Sequence, residues 1–586
     1  MRRALPVLAL AGVSFVIGLI VGANSHTPAS HTLASSYVTA WARGDYRAMY
    51  SDIDAASRRG MTPAAFASAY RQALLTATAS GVRPAGKPHD EPGGIVAVPV
   101  RVHTSLFGTL ALSFMLKIGD SGEGERVSWS RSMLFPGLLA EERLRRTTTL
   151  PPRAALLARD GTVLAEGSTS GISGEQTRSS PLGELASPVI GSVGPVPAAR
   201  RQALQAQGVE ADAIVGVSGL ERAFDDRLRG TPGGELLAES EHEAGKSRVL
   251  ASALPRAARA LRTSVSPTAQ RAAVAALGGQ LGGIVAMRPS GQILAVAGIG
   301  LDGLQPPGST FKMITLSGAL QAGIATPRSV FPYASYATLD GVRLNNANGE
   351  NCGGTLELAF AVSCNSVFSP LGVKLGAARL VSMAERFGFN RETGVAGAPE
   401  STLPPASGIQ GELAVGSTAI GQGQVLATPL QMAAVAATIA DEGRRPKPTF
   451  DQAAASAPAA SVLSVGVART VRRLMIGVVR EGTGTSAAIP GVVVAGKTGT
   501  AELKSQCSSA GAESASSEES GSGGREGCSG TTGEASNTDA WFAAFAPALH
   551  PRVVVAVLLV KDGAGGTTAA PVARQVIEAG LQAGAH

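Results

Sequence analysis

The chain has 586 residues, 44% of them apolar and 16% charged, with 51 basic and 44 acidic side chains giving a net charge of +7. That is too apolar for a disordered protein, too sparsely charged for a coiled coil, and long enough to bury several cores. The positive charge forms no Lys/Arg block and only 4% of residues are aromatic, so no nucleic-acid partner is expected.

The first element is the apolar run Ala4 to Ala23, preceded by Arg2 and Arg3. About 20 apolar residues in a helix match a ~30 Å hydrocarbon core. The arginines should stay on the cytoplasmic side. Residues 1–24 are therefore expected to be a single-pass membrane anchor, with the bulk of the chain outside the cytoplasm. Cleavage as a signal peptide after Val21-Gly22-Ala23 is the alternative. A multi-span protein is excluded, because no second run of this length exists.

Residues 25–145 read as a small α+β domain. Tyr37, Trp41, Tyr46, Met49 and Tyr50 mark a helix, and Pro63–Thr78 a second. Val96, Val98, Val100 and Val102, then Leu110, Leu112, Phe114, Leu116 and Ile118, alternate as strands do. With no titratable cluster, this region reads as a spacer.

Residues 146–265 are rich in Arg, Ala and Gly, and weakly periodic. Their clearest segment is GVSGLERAFDDRLRGTPGG (216–234), a short amphipathic helix closed by a Gly/Pro turn.

Residues 266–586 open with a strand pair, GGIVAMRPSGQILAVAG (282–298), turning at Pro289-Ser290-Gly291. Helices are predicted near 309–322, 355–368, 375–388 and 428–442. Apolar strands follow at Gly491–Glu502, Ala540–Pro547 and Val553–Lys561, suited to a sheet buried on both faces. Between the first two, residues 503–538 form a Ser/Gly/Glu-rich insertion, expected to be mobile and placed to gate the neighbouring cleft or to be inert. Four cysteines permit disulfides outside the membrane. Cys352 with Cys364 and Cys507 with Cys528 are the candidate pairs, and unpaired thiols the alternative.

Two motifs mislead. Gly491 to Thr498 spells GxxxxGK[ST], but Val492-Val493-Val494 is strand material where a phosphate loop should be, and no helix start follows Lys497. Gly298 to Gly303 spells GxGxxG, but Pro306-Pro307 blocks the helix it needs. No cofactor and no metal site are expected.

Beyond residue 266 the only histidines are His550 and His586, so a nucleophile there needs another base. Ser309-Thr310-Phe311-Lys312 offers a hydroxyl at a helix start and an amine three residues on, on the same face. A desolvated lysine could serve as that base. Taken alone, the pair also describes an N-capping serine and a snorkelling lysine. Ser363-Cys364-Asn365 supplies a second hydroxyl and an amide, or is simply a helix-flanking turn. Lys497-Thr498-Gly499-Thr500 lies on an apolar strand that an extended peptide could extend. There Lys497 and Thr498 would suit a carboxylate and Gly499 would allow close approach. A solvated strand end is the alternative.

Together, in this order, SxxK, SxN and KTG are the motif set of penicillin-binding proteins and class A β-lactamases. With PPGSTFKMITL (306–316), GQGQVLATPLQMA (421–433), AGKTGTAE (495–502) and DAWFAAFAP (539–547), the chain resembles the penicillin-binding transpeptidase family. The middle region is similar to the dimerisation or pedestal region of class B members. There PPRAALLARDGTVLAEG (151–167) departs from the family's opening at Ala154 and Ala158. SYVTAWARGDYRAMY and SWSRSMLFPGL resemble the NTF2-like domain of methicillin-resistance-type members. No glycosyltransferase domain fits before the pedestal, which favours class B.

The resemblance implies an α+β multidomain chain whose transpeptidase domain is an antiparallel sheet flanked by helices. It implies a peptidoglycan D,D-transpeptidase that cross-links stem peptides ending in D-Ala-D-Ala and is acylated by β-lactams. Ser309 would be the nucleophile, Lys312 its base and Ser363 a proton relay. Asn365, Lys497, Thr498, Gly499 and Thr500 would bind substrate, with the N–H groups of Ser309 and Thr500 as oxyanion hole. Partners in a wall-synthesis complex are a further expectation. A D,D-carboxypeptidase or a β-lactam sensor on the same fold is the alternative. Glu400-Ser-Thr-Leu403-Pro404 carries proline where the deacylating box of β-lactamases has asparagine, so slow deacylation is expected.

Overall fold

A computed structural model describes residues 28–583 except 121, 123, 168–177, 244, 455–459 and 503–536. The expected anchor, residues 503–536 of the insertion, Cys507 and Cys528 lie outside the described residues. Among the described residues no single helix is long and apolar enough to cross a membrane. The chain divides into two compact units. One holds the described part of Met1–Arg153 with Pro195–Ile214 and Arg229–Ala258. The other holds Ala154–Gly194, Val215–Leu228 and Arg259–His586.

In the first unit the predicted strands pair in register as Ile95–Thr104 and Gly108–Asp120, Val98 opposite Phe114 and Val102 opposite Leu110. Period-two alternation turns Val96, Val98, Val100 and Val102 into the core, where helices Ala29–Arg43 and Pro63–Thr76 cover them. The first predicted helix is broken: Gly44, at φ +71°, ends it, and Tyr46–Asp52 starts afresh with Asp45 as cap. Tyr37, Trp41, Phe66, Tyr70 and Phe114 fill the core, and the Tyr37 and Tyr70 hydroxyls hydrogen-bond at 3.0 Å. A second sheet, Ser247–Ala253, Gly233–Ser240 and Glu142–Thr149, belongs to the same unit.

The second unit is built on a five-stranded antiparallel sheet. Its order is Ile293–Gly298, Gly282–Met287, Val553–Leu559, Thr538–Ala546, Ala495–Glu502. Every residue of Thr538–Ala546 and Val553–Leu559 is buried, as a two-sided sheet requires. One face packs on helices Pro267–Leu277 and Ala569–Ala583 through Phe542, Val555, Val557, Val576 and Ile577. Helix Pro429–Ala440 is buried at all its positions, started by Pro429 and capped by Thr428, whose hydroxyl accepts from Gln431 N.

Both misleading motifs behave as their context requires. Lys497 lies within strand Ala495–Glu502, and no helix opens at Gly298–Gly303. The strand starts at Ala495, four residues later than its apolar pattern suggests.

Candidate active site

Three local breaks create the site. The first is a tight 3₁₀ turn, Gly308–Phe311, carrying Ser309 into helix Lys312–Gln321. Gly308 has φ +50°, and a Cβ there would lie 2.7 Å from Thr500 O. Glycine is thus needed for both conformation and closeness. Its N–H donates to Gly421 O at 3.0 Å, which ties the GQG segment to the serine turn.

The second break is at Ser363. The predicted helix 355–368 is in fact two, Leu356–Ala361 and Asn365–Leu375, because Ser363 has φ +61°, a conformation no α-helix contains. Cys364 is disulfide-bonded to Cys352, so the turn is tied to strand Cys352–Thr355. Closing a loop this short contributes about 3 kcal/mol in the chain-entropy account.

The third feature is the sheet edge. Ala495–Glu502 has a neighbour on one side only, so alternate N–H and C=O groups face outward, able to pair with an extended peptide. Gly499 meets the serine turn: a Cβ there would lie 2.8 Å from Pro307 O, 2.9 Å from Trp541 Cβ and 3.0 Å from Thr310 Cγ2. Two of these neighbours cannot yield, one being backbone and the other a core side chain. Gly499→Ala is expected to push strand and serine turn apart, slowing acylation at least tenfold and costing about 1–3 kcal/mol. Labelling kinetics with a fluorescent penicillin and thermal melting check this.

The functional side chains meet across these elements. Lys312 and Lys497 are both fully buried. Lys312 Nζ donates to Ser363 O and to Asn365 Oδ1, each at 2.6 Å, and lies 3.4 Å from Ser363 Oγ. Lys497 Nζ donates to Ser363 Oγ at 2.8 Å and to Thr498 O at 3.0 Å. Ser363 therefore bridges the two amines. Asn365 Nδ2 donates one hydrogen to Asn345 O at 2.9 Å and keeps the other. The Lys312 and Lys497 amines also lie 5.6 and 5.5 Å from the Phe368 and Phe360 ring centres.

Burial, and then repulsion from Lys497, hold the Lys312 amine well below the usual lysine range. Burial alone lowers Lys497 to about 7. No carboxylate among the described residues pairs with either amine. The pair is thus suited to hold one proton, on Lys497. A neutral Lys312 uses two N–H bonds on Ser363 O and Asn365 Oδ1, leaving its lone pair free to accept a proton.

Thr483 is a member that sequence reasoning missed. Its hydroxyl lies 2.6 Å from Thr498 Oγ1, and its N–H donates to Ala361 O at 3.0 Å. Gly565 and Gly566 were missed too: a Cβ on Gly565 would lie 2.3 Å from Gly499 O, and one on Gly566 2.2 Å from Thr483 O. Gly565 N also donates to Thr500 Oγ1 at 3.4 Å. The one signal for all three was small residues in tight runs, Gly482-Thr483-Gly484 and Gly563-Ala564-Gly565-Gly566.

Family models match three regions of the chain. Residues 282–578 match the penicillin binding protein transpeptidase domain, 168–252 the penicillin-binding protein dimerisation domain, and 29–142 the NTF2-like N-terminal transpeptidase domain. The chain is 38% identical over 303 residues to peptidoglycan D,D-transpeptidase PbpA of Mycobacterium tuberculosis, covering 47% of this chain and 55% of that protein. It thus spans just over half the length of that relative. Among solved structures it is similar to penicillin-binding protein A from M. tuberculosis as a ceftriaxone acyl-enzyme, with TM-score 0.55, 29% identity, and 74% of this chain and 98% of that one covered. It is also similar to Pseudomonas aeruginosa PBP2 in complex with WCK 5153, with TM-score 0.60, 25% identity and coverage of 74% and 96%.

Proposed function

Since this chain belongs to the penicillin-binding protein transpeptidase family, as a class B member with dimerisation and NTF2-like domains, we propose that it is a serine D,D-transpeptidase of peptidoglycan. The observation that carries this reading is the Lys312–Ser363–Lys497 chain of contacts, with Lys312 opening the helix that follows the Ser309 turn. In the proposed reaction a stem peptide extends the edge strand Ala495–Glu502. Its terminal carboxylate meets Lys497 and Thr498, and Thr483 orients the Thr498 hydroxyl. Ser309 Oγ attacks the penultimate D-Ala carbonyl carbon and its proton passes to Lys312 Nζ. Backbone N–H groups of Ser309 and Thr500 hold the oxyanion. Ser363 relays the proton to the departing D-Ala amine, and Asn365 holds the donor peptide. An amine from a neighbouring stem then takes the acyl group and releases Ser309. β-Lactams would acylate the same hydroxyl. Residues 4–23 would anchor the chain in the membrane and leave the body outside the cytoplasm, where other wall-synthesis proteins could join it.

The full-length protein, given a D-Ala-D-Ala stem donor and an amine acceptor, should form cross-linked product. Release of D-Ala with no cross-link would point to a carboxypeptidase, and acylation with neither to a sensor. Rapid steady-state hydrolysis of a cephalosporin would contradict the expected slow deacylation.

The two amines set a pH dependence. Acylation by an anionic substrate should rise as pH climbs through the lowered Lys312 value, because the neutral amine is the base. It should fall above about 7 in the free protein, as Lys497 loses the proton that attracts the carboxylate. Second-order rate constants from pH 5 to 10, on an acid and its neutral ester, test this; the ester should lack the falling limb.

A further inference from the structure

We propose that the pocket between the Phe387–Gly388 helix end, the first turn of helix Pro429–Ala440 and the Arg445–Lys447 segment binds an oxyanion group, a carboxylate or a phosphate. It shares no residue with the Ser309 cleft. The cavity measures about 290 Å³ and is lined in part by Phe387, Thr393, Leu430, Gln431, Arg445 and Lys447. Arg445 lies half-buried, its Nη1 so close to the backbone that a Cβ on Gly388 would lie 2.8 Å away. Gly388, at φ +112°, makes that approach possible.

The charged lining is mostly basic, Arg445 and Lys447 against Glu392. Burial, and then repulsion from Arg391, lower the Arg445 guanidinium from its ordinary value. Among the described residues no carboxylate lies within ion-pair distance of Arg391, Arg445 or Lys447, and Arg445 makes no side-chain hydrogen bond. Glu392, an exposed lining residue, makes no ion pair with any of them among the described residues. By contrast the neighbouring Arg444 is exposed and paired with Asp441 at 2.8 Å. A half-buried guanidinium beside a like charge is costly unless an anion completes it. Its fork matches two oxygens of a carboxylate or phosphate. The amide of Gln431, whose Nε2 gives one hydrogen to Phe387 O at 2.9 Å, has a second to offer. Phe387 and Leu430 supply an apolar wall for the carbon part of a ligand.

Inorganic phosphate and acetate, titrated separately into the full-length protein at constant ionic strength, test this by calorimetry and thermal shift. Saturable binding of at least one anion is expected, weakened at least fivefold by Arg445→Gln and changed less than twofold by Arg444→Gln. Tighter phosphate binding would point to a phosphate-bearing polymer, and tighter acetate binding to a peptide carboxylate. If Arg445→Gln fails to fold, as judged by penicillin labelling, the exposed Lys447→Gln should still weaken binding at least twofold. No saturation by either anion, or undiminished binding in the variant that folds, would overturn the proposal.

Discussion

Ser309→Ala eliminates covalent labelling by a fluorescent penicillin, to below about 1% of the unmodified rate, and leaves the protein folded. The substitution removes one oxygen from a partly exposed position in a 3₁₀ turn where alanine fits the backbone. Among the described residues no hydrogen bond depends on that hydroxyl: the turn is held by Gly308 N on Gly421 O and by Thr310 Oγ1 on Pro307 O at 2.6 Å. Ser363, the other hydroxyl of the site, accepts a hydrogen bond from Lys497. Its hydroxyl is already engaged by that amine, so it should not substitute as nucleophile. Labelling rate and melting temperature are the readouts. Persistent labelling of a folded variant refutes the nucleophile assignment.

Lys312→Met is the second large effect. Methionine, one atom shorter, reproduces most of the apolar stem of the lysine in a site that is already fully buried, so the helix should keep its packing. What is lost is the Lys312 lone pair and two donors, to Ser363 O and Asn365 Oδ1. General-base catalysis of this kind contributes about 10²–10⁴-fold, and acylation should slow by that factor. Leaving two acceptors unpaired costs about 1–3 kcal/mol each, partly offset by removing a buried amine. The protein should therefore still melt cooperatively. The residual rate should lose the rising limb of its pH profile, which a merely structural lysine would leave in place.

Much of this architecture was legible before any coordinates. Period-two runs such as Val96–Val102 named their own buried face. The continuous apolar runs at Ala540–Pro547 and Val553–Lys561 announced a sheet covered on both sides. The three boxes, read together, named Lys312, Ser363, Asn365, Lys497 and Thr498, whose side chains the hydrogen bonds link. What stayed hidden was tertiary. Ser363 sits in an apolar pattern that reads straight through as helix, and its positive φ is set by surroundings such as the Cys352 bond rather than by its own preferences. Thr483 is one threonine between two glycines, and only the 2.6 Å contact across to Thr498 gives it meaning. That Ala495–Glu502 is an edge strand depends on strand order, which no local pattern encodes.

The most direct measurement is to incubate the full-length protein with benzylpenicillin, take its intact mass, and map the adduct by peptide sequencing. One adduct is predicted, carried by the peptide containing Ser309, and absent when Lys312 is replaced by methionine over the same short exposure. An adduct on any other residue, or equal acylation without the Lys312 amine, would contradict the assignment of Ser309 as nucleophile and Lys312 as its base.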